Sequence, residues 1–134
     1  MASEGGVFID HSFQASSTLS ASQYSLVALS SSNQIALSVS STNGALATVG
    51  VLQNDPVLNQ AGKVRLFGKT KVTASSSGIV FGVPLGTSTS GGAITALSTG
   101  LYIWGFALET VAAAVPYQIE AFVAPRGVFM GSTA

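Results

Sequence analysis

The sequence predicts an all-β fold, a small single-domain β-barrel or β-sandwich, on three observations. No stretch of ten or more residues carries a 3.6-residue apolar period between helix caps. Short runs rich in β-branched and aromatic residues recur instead, each closed by Gly, Ser, Asn or Pro. Many short strands at such spacing suit a sheet that closes on itself or packs on a second sheet.

Taken in order, residues 1–20 differ from the rest. An apolar triplet, Val7-Phe8-Ile9, sits between Gly5-Gly6 and the polar stretch from His11 to Ser22, which predicts an extended N-terminal arm. Strands are expected over Tyr24 to Leu29, Gln34 to Val39, Ala47 to Leu52, Lys63 to Thr73, Gly78 to Val83, Ala93 to Leu97, Leu101 to Leu108 and Tyr117 to Ala124. Turns fall between them, the Gly-rich one over Gly86 to Gly92. Pro125 lacks an N–H for a ladder, so it ends the last strand and leaves Arg126 to Ala134 as a tail with its own apolar patch. The expected organisation is an arm over 1–20, a β domain over 21–124 and a tail over 125–134.

Only 7% of the 134 residues are Asp, Glu, Lys or Arg, and the formal net charge is zero. An average soluble domain has about 25% charged residues. The exterior must therefore be built from Ser, Thr, Asn, Gln and Gly, and two readings follow: a polar, uncharged surface, or a surface covered in an assembly. With no cysteine, disulfides and thiolate metal sites are excluded. The N-terminus lacks the basic and apolar regions of a signal peptide, and the longest apolar run, Leu101 to Leu108, is too short to span a bilayer. No membrane partner is expected.

Catalytic constellations are sparse. The single histidine lies in Asp10-His11-Ser12, which cannot act as a triad because consecutive residues of an extended chain face opposite ways. The acids Glu4, Asp10, Asp55, Glu109 and Glu120 show no metal-ligand spacing, and Gly86 to Gly92 leads into neither Lys-Thr nor a helix. No enzyme, cofactor, metal or small-molecule substrate is expected.

The strand from Lys63 to Thr73 is more informative, since period-two alternation puts Lys63, Arg65, Phe67, Lys69 and Lys71 on one face. Such a stripe fits an edge strand guarded by lysines or a cationic surface that meets an acidic partner. Nucleic acid is disfavoured by the zero net charge and the lack of aromatic stacking platforms. Tyr102, Trp104 and Phe106 lie in a run that is apolar on both faces, so it is either a central strand or one shared between a core and a subunit interface. A loose internal repeat relates Gly50-Val51-Leu52 to Gly105-Phe106-Ala107, and Lys63 to Phe67 to Gln118 to Phe122; duplication and coincidence both account for it.

The segments Gly50-Val51-Leu52-Gln53-Asn54-Asp55-Pro56 and Ala61 to Val72, with Gly105-Phe106-Ala107-Leu108-Glu109 and Tyr117-Gln118-Ile119-Glu120, resemble the head decoration, or capsid cement, proteins of tailed bacteriophages. The resemblance covers about residues 24 to 124. It departs at Ser75 to Gly92, at Val115-Pro116 and after Pro125. It implies a small β protein, typically a homotrimer, made in the host cytoplasm and placed on the outside of the virion. There it binds the major capsid protein and bridges neighbouring subunits. On this reading Val7, Phe8, Ile9, Lys63, Arg65, Lys69 and Lys71 are candidates for the capsid interface, and Tyr102, Trp104 and Phe106 for the subunit interface. The alternative function is a displayed carbohydrate- or receptor-binding β module.

Overall fold

The computed structural model describes residues 7–38, 48–74, 79–88, 91–95, 102–110 and 118–128, without the side chains of 95, 102 and 125–128. Among the described residues every regular element is a strand: β1 (Ile9–Ala15), β2 (Leu26–Ser31), β3 (Gln34–Leu37), β4 (Thr48–Leu52), β5 (Ala61–Thr73), β6 (Pro84–Thr87), β7 (Ala93–Thr95), β8 (Tyr102–Ala107) and β9 (Gln118–Val128). The fold is all-β, as the spacing of β-prone runs requires.

Five strands close on themselves in the order β1-β3-β2-β4-β5 and back to β1, with β1 and β3 parallel and the other pairs antiparallel. Closure removes the exposed edges that an open sheet would leave. The order continues from β5 through β9, β8 and β6 to β7, and a parallel bridge between Ala74 and Ala93 returns this second sheet to the end of β5. Two small barrels therefore share one long strand.

β5 alternates as its sequence predicts: Gly62, Val64, Gly68, Thr70 and Val72 are buried, while Lys63, Phe67, Lys69 and Lys71 are exposed. It pairs with β1 as far as Phe67 and with β9 from Gly68 onward. Gly68 has φ +116°, a conformation that L side chains rarely adopt, and a Cβ there would lie 2.6 Å from the Cβ of Phe8. Glycine is the residue that permits the change of partner.

The second barrel repeats the first pair by pair. Leu26↔Val51, Val27↔Gly50, Val51↔Arg65 and Leu52↔Val64 correspond to Pro84↔Phe106, Leu85↔Gly105, Phe106↔Phe122 and Ala107↔Ala121. The hairpin pairs Val27↔Leu37 and Leu29↔Ile35 correspond to Leu85↔Thr95 and Thr87↔Ala93, and the parallel pair Ala15↔Ile35 to Ala74↔Ala93. Left-handed backbone recurs too, at Tyr24 and Gly82 and at Asn33 and Gly91. Arg65 is thus the counterpart of Phe122 and not, as the sequence offset had it, of Glu120. The connection over 108–117 is longer than its counterpart over 53–60.

Each barrel has its own core. Ala15, Leu19, Val27, Ile35, Leu52 and Val64 fill the first. Val72, Ala74, Ile79, Leu85, Ala93, Trp104, Ala107, Ile119, Ala121 and Val123 fill the second, where they are joined by Leu26 and Val51 from the outer face of the first.

Three expectations are corrected. Residues 9–15, read as part of an arm, form β1 and pair with both β5 and β3. Only Phe13 and Ala15 of this strand pack into the core, so its hydrophobic signal is weak. β9 runs through Pro125 to Val128; its ladder with β8 passes from Gly105↔Val123 to Ile103↔Gly127, and this irregularity accommodates the proline. Of the strand expected over Gly78 to Val83, residues 80–83 form a turn closed by Val83 N–H to Val80 C=O, and the strand lies at Pro84–Thr87 instead; Gly78 lies outside the described residues. The tail patch beyond Val128 lies outside the described residues.

A Cβ at Gly50 would run into the carbonyl oxygen of Arg65, and one at Gly105 into that of Phe122. Gly50→Ala and Gly105→Ala should each destabilise the protein by about 1–3 kcal/mol or more, as overpacking does, read as a lower denaturant midpoint. Deleting residues 1–13 removes most of β1 and should unfold the first barrel, read as loss of its β-sheet circular dichroism.

Candidate interaction surface

Asp10, on β1, lies opposite Arg65 on β5. Register therefore sets a bidentate pair: Arg65 Nε donates to Asp10 Oδ1 at 2.7 Å and Arg65 NH2 to Asp10 Oδ2 at 2.9 Å. Both side chains are mostly buried, and Lys63 Nζ approaches the same carboxylate at 3.6 Å. The hydrogen bond from Arg65 holds the Asp10 carboxyl below the ordinary carboxylate range; burial opposes this, and the charges of Arg65 and Lys63 add to it. Arg65 also donates to the Lys69 carbonyl at 2.7 Å and lies 4.1 Å from the centre of the Phe8 ring. One guanidinium thereby ties β1, both halves of β5 and the residues before β1.

The cationic stripe is present, but its charge is largely answered within the chain. Lys69 pairs with Glu120 at 3.3 Å, and Lys71 lies opposite Glu120 in the ladder. Arg65 is committed to Asp10. Lys63 and Lys71 are the members left most open to a partner. Val7, Phe8 and Ile9 are more than half exposed, Val7 and Phe8 ahead of β1 and Ile9 as its first residue.

Of the residues expected at a subunit interface, Trp104 is inside the second barrel, 1% exposed, and donates its indole N–H to the Gly86 carbonyl at 2.9 Å. It is a core residue, because in this barrel it fills space that the small Ala93, Ala107 and Ala121 leave. The side chain of Tyr102 lies outside the described residues. Phe106 does reach the outer face, stacked on Phe122 with ring centres 5.4 Å apart, and Phe122 meets Phe67 edge to face at 5.2 Å. An aromatic stripe thus crosses β5, β9 and β8 and continues to Pro84, opposite Phe106 on β6. Phe81 and Leu108 extend the apolar surface at its end, both exposed. Phe122 was not among the expected site residues. Its signal in the sequence is its place as the counterpart of Arg65, which shows only once the repeat is in register.

The sequence Asp10-His11-Ser12 lies on β1, where Asp10 turns to Arg65 and His11 packs against Phe13. With Lys63 these residues line an open cleft of about 360 Å³. Among the described residues no cluster of three or more His, Asp or Glu side chains is placed to hold a metal.

The fold and this surface define a class: paired small barrels on a shared strand, with an apolar aromatic face. A crystal structure of the N base of head fiber gp8.5 in bacteriophage phi29 is similar to this chain in fold, with a TM-score of 0.61 and 19% identity over 92% of this chain and 98% of that one. The likeness is one of fold. No protein-family model matches the chain, and no curated protein is significantly similar to it.

Because the Asp10 pKa is lowered on folding, its pair contributes stability that is present above the unfolded value and lost as pH falls through the folded one. Asp10→Asn should destabilise the protein by about 1–3 kcal/mol at pH 7. The gap between variant and parent should narrow as pH falls below about 4, read from denaturant melts across pH.

Proposed function

We propose that this protein is a structural component of a phage head, a decoration protein that attaches to the outside of the capsid, binds the major capsid protein and stabilises contacts between its subunits. The observation that carries this reading is the fold shared with the head-fiber base over nearly the whole of both chains. The decoration-protein resemblance of the segments around Gly50 and Gly105 supports it, since these segments are counterparts in the two barrels. A chain with 7% charged residues and no net charge suits a role in which much of the surface is covered.

In this reading the chain acts as a homo-oligomer, a trimer, and carries no catalysis. Its capsid-facing side is the exposed Val7, Phe8 and Ile9 together with Lys63 and Lys71, the cations least committed within the fold. A displayed sugar-binding module would present Trp or Tyr over a groove, whereas Trp104 is buried in the second barrel.

Purified protein mixed with heads that lack it should co-sediment with them. Lys63→Glu combined with Lys71→Glu should weaken that binding more at low salt than at high salt, because exposed charges further apart than about 8–10 Å are screened. Failure of the unaltered protein to bind any head of the particle that encodes it would refute the reading. Binding by the double variant that is unchanged across the salt series would remove the lysines from the interface.

A further inference from the structure

The strand-by-strand repeat gives every face of the first barrel an identifiable counterpart on the second. On the first, the outer face across β2 and β4 presents Leu26 and Val51, and both are fully buried in one cluster with the core residues of the second barrel. Main-chain bonds fix this contact: Thr73 N–H donates to Tyr24 C=O at 2.9 Å and Leu26 N–H to Gly91 C=O at 2.8 Å. Gln53 adds a bond to Thr70 Oγ1 at 2.9 Å. This face is where one barrel receives another.

On the second barrel the counterparts of Leu26 and Val51 are Pro84 and Phe106, by ladder register. The counterparts of the flanking Ser22, Gln23 and Gln53 follow from matching main-chain bonds. Ser25 N–H to Ser22 C=O matches Val83 N–H to Val80 C=O, and Gln53 N–H to Lys63 C=O matches Leu108 N–H to Glu120 C=O. Gln23 N–H to Asp55 matches Phe81 N–H to Thr110. Three polar residues of the covered face are thus replaced by Val80, Phe81 and Leu108 on the open one. These are 45%, 68% and 40% exposed, the reverse of what solvent would select.

We propose that this face, made by Val80, Phe81, Pro84, Phe106 and Leu108, is the seat of a second copy of this chain. The inference rests on the self-association in the reading above and gives it a surface. The counterpart face is already occupied by a barrel with the same strand order, so the occupant this geometry suits is another such barrel, which a second copy supplies. Zero net charge leaves no long-range repulsion between copies. The attachment differs from the internal one in a defined way. Pro84 has no N–H to repeat the Leu26 bond. The slot that Tyr24 and Leu26 occupy in the second barrel is shut in the first, where Gln14 N–H donates directly to Asn33 C=O at 3.1 Å. The second copy is therefore held by side-chain packing on the aromatic face, with Phe81 as the most exposed anchor.

The test is light scattering with size exclusion over a protein concentration series, on the full chain and on Phe81→Ser with Leu108→Ser. Trp104 fluorescence and thermal melts confirm that the variant is folded, and Val57→Ser with Leu58→Ser serves as an exposed apolar control away from the face. The unaltered chain should show a multiple of 13.5 kDa. The variant should dissociate at a concentration at least about tenfold higher, and the control should behave as the parent. A folded variant with the parent's mass profile would overturn the proposal, as would a parent that is monomeric throughout. Head co-sedimentation separates the two readings. A variant that loses self-association but still binds heads upholds both. A monomeric parent whose variant loses head binding would assign this face to the capsid protein and overturn the inference alone.

Discussion

The fold depends on a single strand that serves two closed sheets. β5 is thirteen residues long, more than twice the usual strand. It remains in register with two different sets of partners because the exchange from β1 to β9 occurs between Phe67 and Gly68. A β-carbon at Gly68 would enter the space of Phe8, and the left-handed backbone there reorients the chain. Arg65 sits three residues before this point and binds across it, to Asp10 of β1 on one side and to the Lys69 carbonyl on the other. The bond to Asp10 is charge-assisted and mostly removed from water, the condition under which such a pair is most sensitive to loss of one partner. The joint between the barrels is thus held by one guanidinium and permitted by one glycine.

Two barrels of equal topology are filled differently. Where the first has Ile35, Leu52 and Val64, the second has Ala93, Ala107 and Ala121 at the matching ladder positions. Interiors tolerate little empty space, so volume removed at three positions must be restored elsewhere. Trp104 restores it from within, and Leu26 and Val51 enter from the neighbouring barrel. The indole N–H finds the Gly86 carbonyl, which removes the cost of burying a donor. The second barrel therefore needs the first to complete its core, whereas the first closes its own wall through β1 and β3.

The all-β class and the course of β4, β5, β8 and most of β9 were legible in the sequence because these strands carry their own alternation or apolar density. β1 was not, since Asp10, His11, Ser12 and Gln14 are polar and the strand exists through its pairing with β5. β6 was displaced for the opposite reason: Val80, Phe81 and Val83 have high β-propensity yet form a turn around Gly82, and propensity cannot register a long-range pairing that begins at Pro84. Trp104 was read as an interface anchor because a strand that is apolar on both sides looks the same whether its second side meets another subunit or another part of the same chain. The cationic face of β5 was visible from alternation alone. The carboxylates that answer it were not, since Asp10 and Glu120 reach it only through ladders joining residues far apart in sequence.

The repeat was visible in the sequence but out of register by the extra length between β8 and β9, and that offset concealed the most informative comparison in the molecule. Aligned by offset, Arg65 falls on Glu120 and suggests a charged position in both halves. Aligned by ladder, it falls on Phe122, and a mostly buried ion pair in one barrel becomes in the other an aromatic ring stacked on Phe106 and set edge to face with Phe67. The two halves have the same backbone bonds but different surface chemistry. The first barrel uses its outer face to hold the second, with the Gln53 side chain bridging to Thr70 at the margin. The second presents the same face with aromatic and aliphatic side chains in those places, on a chain whose low charge gives little protection against association. Apolar side chains of this size on a free surface would cost solubility without adding to the stability of either core. They stand on the counterpart of the face that the fold already uses for barrel-to-barrel contact.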